Sequence, residues 1–170
     1  MVADIDISKL QYRSFDIARP RYAIPMPGIT LEPDNYKTLL ESLNDDSWIV
    51  ACLCARWCGA CREYQPGFTE LAGHHPDVHF VWIDIEDQAD VVGDLDVDNF
   101  PTLLIQRGDI VTFFSPVQPD PKQAERLYQA QSEQSVEELK KAAFSNAERA
   151  EWQENCNLRK LLRNAIDFEE

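Results

Sequence analysis

Residues 55–64 read ARWCGACREY and place Cys58 and Cys61, separated by two residues, directly after a tryptophan. A cysteine pair with this spacing can bind a metal ion, form a structural disulfide or exchange electrons with a disulfide on another molecule. The spacing by itself fits all three kinds of chemistry. The rest of the chain has to distinguish between them.

The length and the charge of the chain limit its function. Its 170 residues are enough for one domain with a buried core and some additional segments. With 30 acidic against 16 basic side chains, the net charge is −14, and a charge of this sign repels the phosphates of nucleic acids and anionic lipids. We therefore expect no nucleic-acid partner and no membrane partner.

The N-terminus and the cysteines indicate the compartment. Charged residues interrupt the N-terminal sequence, so it lacks the apolar stretch of a signal peptide. The longest apolar run, IVACLCA at 49–55, is far shorter than the roughly 20 residues of a membrane-spanning helix. Of the five cysteines, four lie within residues 52–61, which is not the distribution of a secreted disulfide scaffold. We expect a cytoplasmic protein whose clustered cysteines serve metal binding or redox chemistry.

The pattern of apolar residues predicts an α/β domain. Residues 1–28 are rich in proline and predict an extended arm. A short strand at 29–31 and a helix within 32–45 follow, and the almost wholly apolar residues 47–55 predict a strand buried on both faces. The remaining predicted elements are a helix at 62–73 bent at Pro66, a strand at 78–86, a short acidic helix at 87–97, a hairpin at 102–114 that turns at Arg107, Gly108 and Asp109, and helices from residue 119 onward.

This order of elements predicts a central mixed β-sheet flanked by helices on both faces. In the last helix one apolar stripe is formed by Leu158, Leu161, Leu162, Ala165 and Ile166. The stripe needs a cover, which is either the domain's own sheet or another subunit. A homodimer formed through the terminal extensions is therefore one arrangement that the sequence allows.

Zinc binding is the first alternative for the cysteine pair. Cys58, Cys61, His74 and His79 have the spacing of a two-cysteine, two-histidine zinc finger. Such a finger needs both histidines on one helix face, but Pro76 lies between them and the residues around His79 predict a strand. Zinc fingers are also usually basic, whereas this chain is acidic. We therefore expect no metal at this site.

Redox chemistry is the alternative that the sequence supports better. If Cys58 caps the helix that follows, its sulfur faces unpaired backbone N–H groups and the positive end of the helix dipole, which favour a thiolate. Arg56 and Arg62 flank the pair and favour the same charge state. Cys61 lies one helical turn further along and inward, where it can attack a mixed disulfide formed at Cys58.

Three stretches of the chain together resemble the thioredoxin family. They are WCGACREYQP at 57–66, WIDIED at 82–87 and NFPTLLIQRGD at 99–109, in the order and spacing that this family uses. The resemblance covers about residues 29–130, and it implies a thioredoxin-like fold for them. Residues 1–28 then form an N-terminal extension and residues 131–170 a C-terminal helical extension.

The resemblance implies a thiol-disulfide oxidoreductase that reduces the disulfides of client proteins. Cys58 is then the attacking cysteine and Cys61 the resolving cysteine, which releases the client from a mixed disulfide. The electron donor is expected to be a reductase or a low-molecular-weight thiol, and no bound cofactor is implied. Gly59 and Ala60, between the two cysteines, are similar to the glycine and proline of reducing thioredoxins and favour reduction over oxidation.

The resemblance also implies residues that contact the client. Pro101 is expected to be a cis proline that faces the cysteines, and the backbone of Phe100 before it is expected to bind an extended client segment. Phe100 is bulkier than the aliphatic residue usual in the family, so we expect it to narrow the client groove. Trp57 is expected to cover the cysteine pair and, with Gly59 and Ala60, to contact the client.

The chain departs from the family at the groups that handle protons. Cys52 lies six residues before the first cysteine of the pair, where typical thioredoxins have a buried acid, and Trp82 stands where the lysine partner of that acid usually lies. Cys54 stands where the family commonly has an aromatic residue. Without a buried carboxylate, Cys61 is expected to lose its proton less readily, so that turnover at neutral pH either is slower or relies on water or an exposed acid. Cys52 and Cys54 either take part in redox chemistry or act as small apolar side chains.

A function of a different class also fits the sequence. A thioredoxin-like domain with slow redox chemistry can act as a binding or scaffold module that holds a partner protein with its arm and its C-terminal helices. The missing buried acid and the C-terminal extension favour this alternative.

Overall fold

The structure is a computed structural model that describes residues 28–169. The predicted N-terminal arm lies outside the described residues, except for Gly28. The described residues form a sheet with helices on both faces, which confirms the predicted fold class. None of the helices between residues 28 and 169 combines the length and the apolar character that crossing a lipid bilayer requires.

The sheet has five strands in the order β1-β3-β2-β4-β5. They are β1 (Ile29–Thr30), β2 (Trp48–Cys54), β3 (Val78–Asp84), β4 (Thr102–Arg107) and β5 (Ile110–Pro116). Strands β1, β3 and β2 run parallel, whereas β4 is antiparallel to both β2 and β5, so the sheet is mixed as predicted. Strand β2 lies at the centre, which explains its almost continuous apolar sequence.

The helices of the described residues follow a 3-10 turn at Pro33–Asn35. They are α1 (Tyr36–Ser42), α2 (Gly59–His74), α3 (Ala89–Val92), α4 (Pro121–Ser132), α5 (Val136–Ala143), α6 (Ala147–Asn155) and α7 (Leu158–Glu169). The acidic helix predicted at 87–97 is shorter than expected, because it ends before Gly93 and the polar residues that follow it. Residues 107–109 form the predicted hairpin turn, where Gly108 has a φ of 55°.

Strand β2 contributes to two separate cores because successive side chains of a strand point to opposite faces of the sheet. Its odd-numbered residues from Ile49 to Leu53 belong to a core that α1, α3 and α7 cover. Its even-numbered residues from Val50 to Cys54 belong to the opposite core, which α2 and α4 cover. Helix α2, which carries the cysteine pair, therefore packs on the same face as Cys52 and Cys54.

Helix α7 covers the sheet face opposite to α2. Leu158, Leu162 and Ala165 are buried in that core, and Leu161 and Ile166 pack against it while partly exposed. The other helices on this face are shorter, since α1 has 7 residues, α3 has 4 and α6 has 9. The predicted apolar stripe is thus covered by the chain's own elements rather than by a second subunit.

A buried glutamine fixes the start of α7 to the sheet. Gln106, on β4, has no solvent exposure, and its Nε2 donates to the Gly108 carbonyl at 2.8 Å and to Asn157 Oδ1 at 3.0 Å. Its Oε1 accepts the backbone N–H of Leu158 at 2.8 Å. This bond satisfies one of the N–H groups that a helix start leaves unpaired.

A buried arginine holds the same end of the helix. Nη1 of Arg159 lies 3.1 Å from a carboxylate oxygen of Asp45 and 3.1 Å from one of Asp109. Because the buried guanidinium of Arg159 would lose these partners if the helix moved, the contacts favour a single position of α7.

We predict that Leu162→Ala lowers the free energy of unfolding by about 3 kcal/mol, because it removes a fully buried side chain from the core under the sheet. Phe168→Ala is the matched control, since Phe168 lies on the same helix and is 91% exposed. Its free energy of unfolding should change by no more than about 0.5 kcal/mol. Urea denaturation measures both values, and equal effects would contradict the assignment of α7 to the core.

Candidate active site

The cysteine pair lies where the central strand leads into helix α2. Strand β2 ends at Cys54, and a turn closed by the bond from the Cys58 N–H to the Ala55 carbonyl, 2.9 Å, connects it to the helix. Cys58 is the N-cap of α2, as predicted. Gly59 and Ala60 form the exposed start of the helix, so the first turn leaves the sulfur of Cys58 open to an approaching molecule.

The two sulfurs differ in their access to solvent. Cys58 is half-buried, whereas Cys61 is 1% exposed. The backbone N–H of Cys61 donates to Sγ of Cys58 at 3.4 Å. Through this bond the outer sulfur caps the N-terminus of the helix. The structure therefore brings together one accessible and one enclosed sulfur on the same helical turn.

The inner cysteine has other thiols as its hydrogen-bond partners. Burial, together with hydrogen bonds to Cys54 and Cys58, raises the pKa of the Cys61 thiol well above its usual range. Position 52, where the family resemblance implies a buried acid, carries a thiol that belongs to the same core. No carboxylate at position 52 therefore assists the removal of the proton from Cys61.

The sulfurs continue inward along strand β2. Sγ of Cys52 and Sγ of Cys54 lie 3.5 Å apart, since alternate residues of a strand share one face. The hydrogen bond to Cys52, with burial, raises the pKa of the Cys54 thiol strongly. Cys54 and Cys61 also line one cleft of about 250 Å³. Cys52 and Cys54 are thus part of the same group of sulfurs as the predicted pair.

The two arginines that flank the pair are held by other groups. Arg56 forms an ion pair with Asp87, and Nη1 of Arg62 donates to the Arg56 carbonyl at 2.8 Å. We expected both arginines to favour a thiolate at Cys58 directly. Because an acidic side chain pairs with Arg56, its charge is partly compensated, and its effect on the sulfur is smaller than the sequence indicates.

Two aromatic residues form one wall beside the cysteines. Trp57 is 67% exposed, and its Nε1 donates to a carboxylate oxygen of Glu86 at 2.6 Å. Its ring packs edge-on against Phe100, with 5.5 Å between the ring centroids. Phe100 also packs against the core that contains Cys61. The arrangement holds a large apolar surface open to solvent next to Cys58.

The Phe100–Pro101 peptide bond is cis, as the family resemblance implies. The Pro101 carbonyl accepts the Val117 N–H at 3.0 Å, which ties this loop to the residue after β5. Among residues 28–169, the backbone N–H and carbonyl of Phe100 have no hydrogen-bond partner. Such groups are available to an added strand.

The acidic residues that hold Trp57 and Arg56 were not among the predicted site residues. Glu86 and Asp87 lie two and three residues after the end of β3, which runs parallel to β2 with Cys54 opposite Asp84. Because the carboxyl ends of parallel strands meet at one edge of a sheet, the sequence after β3 could have been placed beside the cysteines. The pairing of these two parallel strands is the signal that would have placed Glu86 and Asp87 at the site.

The zinc-finger arrangement does not form. Cys61 and His74 are 13 residues apart on the continuous helix α2, which separates them by about 20 Å. His79 lies on β3. Within residues 28–169, no group of three or more His, Cys, Asp or Glu side chains is placed to hold a metal ion.

Comparison with known sequences gives a family match. The Thioredoxin family model matches residues 28–130. A Thioredoxin H-type of Brassica campestris is 36% identical over 80 residues, which are 47% of this chain and 64% of the relative. Thioredoxin H2-1 of Oryza sativa subsp. japonica is 35% identical over 65 residues, 38% of this chain and 47% of the relative. The chain thus spans about half to under two thirds of the length of these curated relatives.

Comparison with solved structures establishes the fold. A wild-type thioredoxin h from poplar has a TM-score of 0.56 at 21% identity, covering 64% of this chain and 99% of that chain. Thioredoxin F from spinach chloroplast, long form, has a TM-score of 0.53 at 21% identity, covering 66% and 92%. A thioredoxin f2 in a complex with ferredoxin:thioredoxin reductase has a TM-score of 0.54 at 18% identity, covering 62% and 96%.

The difference in burial predicts a difference in thiol reactivity. We expect iodoacetamide at neutral pH to alkylate Cys58 at least about tenfold faster than any of the buried cysteines. Mass spectrometry of digests taken during the reaction measures each rate. In guanidinium chloride, as the control, the rates should converge. Alkylation of Cys61 as fast as that of Cys58 in the folded protein would contradict the assignment of outer and inner sulfur.

Proposed function

Because this chain belongs to the thioredoxin family, we propose that it is a thiol-disulfide oxidoreductase that reduces disulfides in client proteins through Cys58 and Cys61. One observation carries the proposal: an accessible sulfur at a helix N-cap receives the N–H of an enclosed cysteine one turn later. This arrangement provides an attacking sulfur outside and a resolving sulfur inside.

The proposed reaction has two exchange steps. The Cys58 thiolate attacks one sulfur of the client disulfide, the disulfide breaks, and the other client sulfur leaves as a thiol. Cys61 then attacks Sγ of Cys58, which releases the second client thiol and leaves a Cys58–Cys61 disulfide. The client gains two electrons and two protons, and an external donor must return them to the cysteine pair.

The client is expected to bind along the loop before Pro101. The unpaired backbone groups of Phe100 would form a short β-type addition with an extended client segment, and the Trp57 and Phe100 rings would contact its side chains. Phe100 fills space beside Trp57, so the groove is narrower than one with an aliphatic residue at position 100. This geometry favours clients with small residues next to the disulfide.

The electron donor is proposed by analogy. A structural neighbour is described in complex with ferredoxin:thioredoxin reductase, and we propose either a reductase of comparable role or a low-molecular-weight thiol for this chain. A reducing compartment such as the cytoplasm fits a site that must be returned to its dithiol form. No step of the proposed reaction requires a bound cofactor.

A second candidate function is a binding or scaffold module with slow redox chemistry. It is favoured by one observation, the thiol surroundings that raise the pKa of Cys61. In such a module the chain would hold a partner protein, and the cysteines would contribute little to its activity. A homodimer through the terminal extensions belongs to the same proposal, although α7 covers its own sheet.

Insulin reduction with dithiothreitol as donor separates the two candidates. We predict that Cys58→Ser lowers the rate to that of dithiothreitol alone, because the attacking sulfur is lost. Cys156→Ser is the matched control, since Cys156 is buried on the opposite face of the sheet and should leave the rate unchanged. A wild-type rate equal to the background would instead favour the binding module.

The thiol at position 52 predicts an unusual pH dependence. Since the pKa of Cys61 is raised, its thiolate fraction increases as the pH rises, and turnover limited by resolution should keep increasing above pH 7. Cys52→Asp supplies the missing base and should accelerate turnover at pH 7 by about tenfold or more.

Cys52→Asn is the matched control for this substitution, because it has the same shape as the aspartate but no titrating group. It should keep the wild-type profile of rate against pH. Identical profiles for wild type, Cys52→Asp and Cys52→Asn would show that proton removal from Cys61 does not limit the reaction.

A further inference from the structure

Cys54 lies between the cysteine pair and the deepest thiol of the group. On one side its Sγ is 3.5 Å from Sγ of Cys52. On the other side it shares one core and one cleft with Cys61, whose backbone N–H donates to Sγ of Cys58. The four cysteines therefore form one group that extends from the surface into the core, in which both Cys54 and Cys58 lie close to Cys61.

Cys54 and Cys61 are both buried, but they also line the wall of one cleft. Both residues line the cleft of about 250 Å³, whose wall includes Arg56, Arg62 and Asp84. Among these groups the Asp84 carboxylate, unlike the two arginines, can pass a proton between the thiols and water. A disulfide between Cys54 and Cys61 would thus form at the base of an existing cleft rather than in closed packing.

We propose that Cys54 is a second disulfide partner of Cys61, so that in the oxidised protein the Cys58–Cys61 disulfide converts to a Cys54–Cys61 disulfide. The inference rests on the proposed function, because that reaction supplies the first disulfide. It assigns to Cys54 a redox role that the packing of a small apolar side chain does not require.

The conversion is an internal exchange without net oxidation. The Cys54 thiol loses its proton, its sulfur attacks Sγ of Cys61, and the Cys58–Cys61 bond breaks. Cys58 leaves as a thiolate and takes up the proton directly or through the cleft. One disulfide and one thiol are present before and after the step, so it needs no further oxidant or reductant.

The order of events follows from the environment of Cys54. Its hydrogen bond to Cys52 and its burial raise the pKa of its thiol, so the attacking thiolate forms rarely. The exchange is consequently slower than the closure of the Cys58–Cys61 disulfide. A protein that is re-reduced promptly turns over normally, whereas one that stays oxidised shifts its disulfide inward.

The inward shift changes what the surface cysteine can do. Cys58 becomes a free thiol again while its resolving partner is held by Cys54. When such a molecule attacks another disulfide, no sulfur is available to release the mixed disulfide. The oxidised protein then retains its client covalently, so slow re-reduction switches it from reductase to client trap.

Tryptic mapping of the full chain tests the proposal because Arg56 lies between Cys54 and Cys58. Trypsin leaves both Cys58 and Cys61 within residues 57–62, so their disulfide stays inside one peptide. A Cys54–Cys61 disulfide instead joins that peptide to residues 38–56. Reduced protein is treated with one equivalent of 5,5′-dithiobis(2-nitrobenzoic acid), sampled over time, blocked with N-ethylmaleimide in acid and digested.

We expect the internally bridged peptide first and the joined peptide at later times. In Cys54→Ala the joined peptide should fall by at least about tenfold, whereas Cys52→Ala, which also removes a buried thiol, should keep it. Equal amounts of joined peptide in wild type and Cys54→Ala would overturn the proposal. Loss of the joined peptide in Cys52→Ala but not in Cys54→Ala would also overturn the proposal.

The same experiment separates failure of this inference from failure of the proposed function. Release of two thionitrobenzoate ions per protein reports closure of the Cys58–Cys61 disulfide, whether or not it later moves. If that release depends on Cys58 and no joined peptide forms, the proposed function stands and the inference fails. As a second readout, aged oxidised wild type should bind several-fold more oxidised glutathione at Cys58 than Cys54→Ala does.

Discussion

The transition from strand β2 to helix α2 is the constraint on which the rest of the site depends. A central strand, held by β3 on one side and β4 on the other, ends at a fixed place and leads within four residues into a helix. The helix start then presents unpaired N–H groups at one point, and the sulfur of Cys58 occupies it. Cys61 is placed inward by the helical period alone.

The burial of Cys61 has two opposite consequences for the proposed reaction. It separates Cys61 from competing molecules, which is useful for a resolving thiol, but it also disfavours the charged form that must attack. A buried carboxylate would relieve this conflict, and Cys52 stands in its place. A sulfur at position 52 offers no carboxylate oxygen to take the proton from Cys61. It does, however, add a group that can form disulfides.

The sequence predicted those features that depend on local pattern. The apolar run through β2, the cap at Cys58 and the hairpin turn at Gly108 follow from residue preferences and are present. Contacts between distant segments were harder to predict from the sequence. Glu86 holds Trp57 only because two parallel strands end at one edge, and the hydrogen bond between Leu158 and Gln106 joins residues 52 positions apart. No periodicity within either segment encodes such a pairing.

The C-terminal helices are connected to the site through strand β4. This strand begins at Thr102, directly after the cis proline, and near its other end it carries Gln106, which holds the start of α7. Thr102 itself donates to the Asn99 carbonyl at 2.7 Å and so fixes the loop before Pro101. Because a strand is stiff along its length, displacement of α7 would disturb the strand that positions the client-facing loop. The extension therefore belongs to the scaffold of the site, and its helices are not an independent appendage.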